Sequence, residues 1–255
     1  MSAYNFGEAR DIMTGGSIAY SSWRDQLTVN GNNQANLSYS DFDQRHRVIT
    51  AGSYRKNWGE NAATTLSIFY QGYNQGRTSF SVIGDVNGDF LAANDLLYVP
   101  TATELQAMNF ADIVSGGNVL YSAATQKEAF EAYITDNSYL NSIRGSFSER
   151  NALVLPWLNL IDLNIVQDFS IKVGGKKQNL QLRADFYNVA NMINSSWGVS
   201  DRVVVNRPLT YKKVGTDYVY EFTRTLGELR TEIYDPSVTL GDVWQAQIGI
   251  RYSFN

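Results

Sequence analysis

The sequence predicts an all-β fold: an antiparallel portion of a transmembrane β-barrel, about six strands, with long extracellular loops that hold one or two short helices. Three observations carry that prediction. Apolar and polar residues alternate over several stretches of roughly ten residues, the length a tilted strand needs to cross a bilayer. The connections between these stretches are alternately long and short. The composition is aromatic and polar rather than helix-forming, with sixteen Tyr, twelve Phe and five Trp.

The elements follow in order. Ser2, Tyr4 and Phe6 alternate with Ala3, Asn5 and Gly7, which gives a strand near 2–10. Residues 11–40 contain Gly15, Gly16, Asn30, Gly31, Asn32, Asn33 and Asn36 and read as a long polar loop. A strand near 46–56 follows, then a turn through Asn57, Trp58 and Gly59, then a strand near 62–72 that could continue to Phe80. Residues 81–151 are the longest insertion. Ala129, Phe130, Tyr133 and Ile134 recur there at helical spacing and predict a helix over 126–137, with a shorter one over 103–110.

The strand near 158–172 sets Ile161, Leu163, Ile165, Phe169 and Ile171 on one face, interrupted by Gln167. Asp162, Asn164, Val166, Asp168 and Ser170 fall on the other. Burying those polar groups in a dry core would cost several kcal/mol unless they were paired. A water-filled or plugged lumen removes that cost. Gly174 and Gly175 mark a tight turn. In the strand near 179–190, Leu180, Leu182, Ala184 and Phe186 alternate with Gln181, Arg183, Asp185 and Tyr187. Residues 192–242 form another insertion, with a small hairpin that sets Tyr211 and Lys212 against Val219, Tyr220 and Phe222. The closing strand, near 243–254, puts Trp244, Ala246, Ile248, Ile250, Tyr252 and Phe254 on one face, so aromatics stand at both ends of an apolar band.

The long connections follow the first, third and fifth strands. The short ones follow the second and fourth. Long loops therefore share one side of the membrane and short turns the other. No stretch of about eighteen apolar residues provides a transmembrane helix. A mean hydropathy of −0.28 fits a barrel wall, in which only every second residue meets lipid. There is no Cys, which excludes disulfides and zinc–thiolate sites. A net charge of −4 without a basic run gives nucleic-acid binding no electrostatic support.

Gln247, Gly249, Tyr252 and Phe254 resemble the C-terminal signal by which outer-membrane β-barrel proteins are recognised for assembly. Asn255 departs from it by one extra residue. The chain as a whole resembles the C-terminal end of a TonB-dependent receptor barrel of the Oar-like group (carboxypeptidase-regulatory-like domain) of Bacteroidota. The residues that carry the resemblance are 39–47 (Tyr39 to Arg47), Gly84 to Asp89 with Asn94 to Pro100, Asp185 to Asn191, and the terminal strand. The family implies a 22-stranded barrel, an N-terminal plug and energy-coupled uptake across the outer membrane of a Gram-negative bacterium. The expected partners are outer-membrane lipid, the remainder of the barrel and its plug, the TonB–ExbB–ExbD complex acting through that plug, and the barrel assembly machinery. Met1 to Glu8 show no signal peptide, and the expectation is that 1–255 is a piece of a longer receptor, without its plug, and not transport-competent alone. The alternative is a soluble or surface β-rich binding or adhesin module, with the same alternation folded as a sandwich.

Candidate sites are few. Asp85, Asn87, Asp89 and Asp95 are oxygen donors at alternating positions, a set that suits Ca²⁺; a plain Asx-turn is the competing reading. Phe90 stands where such loops carry Gly, and Leu96 occupies the twelfth position, where an EF-hand needs Glu. His46 is the sole histidine, and nothing marks a serine as its nucleophile, so no enzymatic activity is expected. Trp23, Trp157, Trp197, Tyr73 and Tyr98 are either ligand-stacking residues or girdle and loop-core aromatics. Gly174, Gly175, Lys176 and Lys177 lack phosphate-loop spacing and read as a turn. The loops do not select a ligand.

Overall fold

A computed structural model of the chain describes residues 1–16, 18–34 and 36–254. Six strands make one antiparallel sheet: β1 (Ser2–Phe6), β2 (His46–Asn57), β3 (Ala62–Asn74), β4 (Trp157–Val173), β5 (Lys176–Tyr187) and β6 (Gln245–Phe254). Each pairs with the next in sequence, so the sheet is an up-and-down meander. Among the described residues it does not close on itself: β1 and β6 each keep one free edge.

The turns explain the register. β4 and β5 meet through Gly174 and Gly175, whose φ values of 60° and 81° give the two left-handed residues of a tight hairpin. That turn pairs Val173 with Lys176 and carries the register down to Leu163 opposite Phe186. β2 and β3 meet through residues 58–61. The three other connections, 7–45, 75–156 and 188–244, all leave from the opposite end of the sheet, as the loop lengths predict.

Because the side-chain period is two, register fixes the faces. Gly52, Ile68, Leu163, Phe186 and Ala246 form one cross-strand row; Tyr54, Leu66, Ile165, Ala184 and Ile248 form the next. These rows point outward: Leu163, Ile165, Ala184 and Phe186 are half-buried, the other members are exposed, Ile248 at 83%, and Ile250 in the next row is exposed at 73%. No second sheet lies over them among the described residues, since the remaining sheets have two or three strands. The sandwich alternative is therefore not the fold formed.

The core lies elsewhere. Phe80, Leu97, Leu105, Phe130, Tyr133, Ile134, Leu140, Val205, Leu209 and Phe222 pack into one cluster, contributed entirely by the 75–156 and 188–244 excursions. What reads as separate loops is thus one folded lobe at the long-loop end of the wall. The hairpin Leu209–Val214 with Asp217–Phe222 is present, with Tyr211 opposite Tyr220 and Lys212 opposite Val219. Val82–Ile83 extends it in parallel against Leu209 and Thr210.

Several boundaries differ from expectation. The first wall strand ends at Phe6; Arg10–Asp11 instead pairs with Ser38–Tyr39. The third ends at Asn74, because Arg77–Thr78 pairs with Leu153–Val154 rather than prolonging the wall. The fifth ends at Tyr187, where Asn188 turns the chain at φ 50°. The sixth starts at Gln245, one residue after Trp244.

The described residues hold five α-helices rather than one or two: α1 (Ala19–Arg24), α2 (Ala102–Ala107), α3 (Ala123–Asp136), α4 (Ser138–Ser142) and α5 (Val189–Ile193). α1, α4 and α5 have only five or six residues, too short for a 3.6-residue period to show. α2 starts at a capping box between Thr101 and Glu104 and stops where Met108 turns extended. Asn255 lies outside the described residues.

Candidate functional site

The wall offers two surfaces of opposite character. On the outward face, Tyr4, Phe6, Tyr70 and Trp157 sit toward the long-loop end, and Tyr54, Phe169, Tyr252 and Phe254 toward the short-turn end. Between them run Ile68, Leu163, Leu182, Ile248 and Ile250. An apolar band between two aromatic belts matches a bilayer between its interfaces. Gln167, which interrupts the apolar row, accepts from the Thr64 hydroxyl at 2.5 Å, so its polar group is met within the face. At the upper belt a Cβ on Gly72 would collide with the Tyr70 hydroxyl and lie 2.7 Å from Trp157 Cζ2. Only glycine lets that indole lie across the strand.

The inward face is a hydrogen-bonded polar lattice. Arg55 donates to Asp168 at 2.9 Å, and Gln181 donates to the same carboxylate at 2.8 Å. Arg183 grips Asp185 at 2.6 and 2.8 Å, and Asn164 donates to it at 2.7 Å. Asn164 and Asp168 are among the groups that would be costly in a dry core. Here the polar groups satisfy one another along a surface open to water.

The rim between wall and lobe is held by buried charges. Asp43 and Arg77 pair with side chains that are 1% and 3% exposed. Asp43 also accepts from the Ala9 N–H at 2.6 Å, and the Arg77 guanidinium lies 3.7 Å from the centre of the Tyr39 ring. Arg150 donates to the Asp11 carboxylate at 2.6 Å, and Asn151 donates to Asp41 at 2.5 Å. The motif at 39–47 is therefore a structural latch that joins three segments distant in sequence. Arg77, Arg150 and Asn151 were not singled out in the sequence; only their long-range pairing reveals them.

The 81–97 strap runs beside the first loop, where Thr28 and Asp95 form a β-bridge. A family model described as an outer membrane beta barrel domain matches residues 2–203. The chain belongs to that family. The match covers β1 to β5 and most of the lobe, and membership implies an outer-membrane setting in a Gram-negative bacterium. No curated protein and no solved structure matches the chain.

Within this outer membrane beta barrel domain, Asp85, Asn87, Asp89 and Asp95 are brought into one loop. Asp85 accepts from the Gly88, Asp89 and Phe90 N–H groups at 2.7, 3.1 and 2.9 Å. Asn87 Oδ1 accepts from Asp89 N at 2.9 Å, and Asp89 Oδ1 from Leu91 N at 2.9 Å. Asp95 Oδ2 accepts from Val86 N at 2.5 Å. Burial pushes the Asp95 carboxyl above its ordinary range, against those N–H bonds, and the nearby Asp89 and Asp85 add to the rise. No three His, Cys, Asp or Glu side chains among the described residues already converge as a formed metal centre.

The other candidates are dispersed. His46 Nδ1 bonds the Tyr4 hydroxyl at 2.7 Å, and its ring packs on Phe6 at 5.2 Å. Tyr98 meets Phe147 edge-on and donates to Glu104 at 2.9 Å inside the lobe. Trp157 belongs to the outward belt, Tyr73 to the inward face opposite Arg47 and Leu158, and Trp23 and Trp197 to separate loop segments. The five aromatics do not form one stacking platform.

Proposed function

We propose that this chain supplies closing wall strands and a ligand-facing lobe of a TonB-dependent outer-membrane receptor of the Oar-like group. One observation carries most of the weight: an outward apolar band on a sheet with two free edges. Unpaired backbone groups at an edge in lipid cost several kcal/mol each. A transmembrane barrel needs about eight strands at least, so six require more. In this reading further strands of the same receptor pair with β1 and β6, and a plug fills the space in front of Arg55, Asp168, Arg183 and Asp185.

The lobe supports a receptor role. Its folded core at one rim gives a ligand a preorganised surface on the outer side, where long loops lie. Uptake would draw on the proton-motive force through the TonB–ExbB–ExbD complex and the plug, with barrel assembly machinery reading the closing strand. The chain itself does no covalent chemistry.

Single cysteines at Leu163, Leu182 and Ile250 test the membrane setting. In outer-membrane vesicles they should react with a lipid-phase maleimide and resist a water-soluble one. Reaction with the water-soluble reagent alone would overturn it. Vesicles that hold only this chain should take up no ligand, and uptake there would overturn the incomplete-wall reading.

A further inference from the structure

We propose that the strap at 85–95 is a Ca²⁺ site, with Asp85, Asn87, Asp89, Asn94 and Asp95 as its side-chain oxygen donors. Alternating oxygens alone would not establish this, since Asx-turns use the same residues. The decisive feature is a pair of buried acceptors with nothing to accept. Asp95 is 3% exposed and Asn94 is 1% exposed, yet Asp95 Oδ1 and Asn94 Oδ1 have no hydrogen-bond partner among the described residues.

Both orphans belong to the loop. Asp95 Oδ2 is held by the Val86 and Asn87 N–H groups, and Asn94 Nδ2 donates to Asp89 Oδ2 at 3.0 Å. Each orphan oxygen shares a planar group with an atom already bonded inside the cluster. Buried acceptors left without a donor are rare in folded proteins, and a bound ion is one of the ordinary explanations.

The donor chemistry selects the ion. All five donors are carboxylate or amide oxygens, and three of them carry charge. The ion pairs of the described residues include no partner for Asp85, Asp89 or Asp95. Asp85 Oδ2, Asn87 Oδ1 and Asp89 Oδ1 each accept a single N–H bond and keep a second lone pair. Hard, flexible oxygen coordination with six to eight ligands is the preference of Ca²⁺, whereas Mg²⁺ demands a tighter octahedron. Asp85, Asp89 and Asp95 do not converge as a formed metal centre, and binding would draw them in. Asn87 and Asn94 also bond Val29 and Asn32, so the cation would fix the strap to the first loop.

Tb³⁺ luminescence of the full chain in detergent tests this, with the metal alone as probe. Tyr211 lies against Gly84 and can sensitise the ion. The expected result is saturable emission on tyrosine excitation, displaced by Ca²⁺ at lower concentration than by Mg²⁺. It should be lost in Asp85→Asn with Asp95→Asn and kept in Asp217→Asn. Asn94→Ala, which leaves every carboxylate in place, should weaken Tb³⁺ binding while far-UV circular dichroism stays native. Absent or non-saturable emission, or emission unchanged in natively folded Asn94→Ala and in the double variant, overturns the site and leaves an Asx-turn.

Discussion

The wall and the lobe are built from the same residue types with opposite orientation. In the wall, Ile248, Ile250 and Phe254 face outward and Asp168, Arg183 and Asp185 face inward. In the lobe, Phe130, Leu105 and Phe222 are fully buried in a cluster of apolar and aromatic side chains. The difference lies in the solvent. Lipid rewards an apolar exterior, so the wall needs no dry core of its own. Water surrounds the lobe, so its stability rests on burial at about 25 cal/mol per Å² of apolar surface. One chain thus folds by two rules, and substitutions should separate them.

The largest expected effect is in the lobe. Phe130 contacts the rings of Tyr133 and Phe222 at centroid distances of 6.3 and 6.0 Å. Phe130→Ala should cost about 3–5 kcal/mol through lost burial and a residual cavity. Hydrogen exchange should then rise across α3 and the 209–222 hairpin, with β4 and β5 still protected. Equal loss of protection in the wall would mean that the two regions are one cooperative unit.

That asymmetry also decides what the sequence reveals. The wall is legible because its information is local: alternation along 158–171 and 180–187 assigns faces before any pairing is known. Loop parity then orders the strands. The lobe is nearly illegible, because Phe80, Leu97, Phe130, Val205 and Phe222 come from segments with no common period. Its sheets are two or three strands of two to six residues. The candidate cation loop is legible in Asp85, Asn87, Asp89 and Asp95; Asn94 stands out only by its buried, unpartnered oxygen, and Asn32 joins only through tertiary contact. The latch of Asp43 with Arg77 is hidden for the same reason.

A wall substitution sharpens the comparison from the other side. Ile250→Arg should cost about 2–4 kcal/mol if that position lies near the bilayer midplane, and Ile250→Ala far less. Phe130 should show the usual core behaviour, in which truncation itself is severe. Unfolding in detergent or lipid measures both. An Ile250→Arg that is neutral in lipid vesicles would remove the outward face from the membrane.

Glycines on the outward face give a finer contrast. Gly72→Ala drives a methyl into Tyr70 and Trp157 and should cost about 1–3 kcal/mol as overpacking. At Gly52 the nearest atom to an added methyl is Ile68 Cγ2 at 3.8 Å, so Gly52→Ala should be close to neutral. Equal costs at the two sites would show that strand propensity, rather than the Trp157 contact, decides the outward face.

The smallest effect concerns the seam where the lobe returns to the closing strand. Asp242 ends a 3₁₀ turn (Leu240–Asp242) just before β6 and accepts from Ser200 N at 2.8 Å, Thr239 N at 3.0 Å and both hydroxyls. Burial works against its anion, but the hydroxyl and N–H bonds from Ser200 and Thr239 outweigh that and hold its pKa well below the carboxylate range. A depressed pKa means that Asp242 contributes stability above the unfolded value, near 4, and loses it as pH falls through the folded value. Asp242→Asn should therefore cost about 1 kcal/mol at pH 7, as a lost cap does. The deficit should shrink on acidification toward pH 2, where the native carboxyl also begins to lose its charge. Denaturation midpoints of both proteins at the two pH values give the test. A deficit that stays constant would mean that the shape of Asp242, and not its charge, joins the water-rule lobe to the lipid-rule wall.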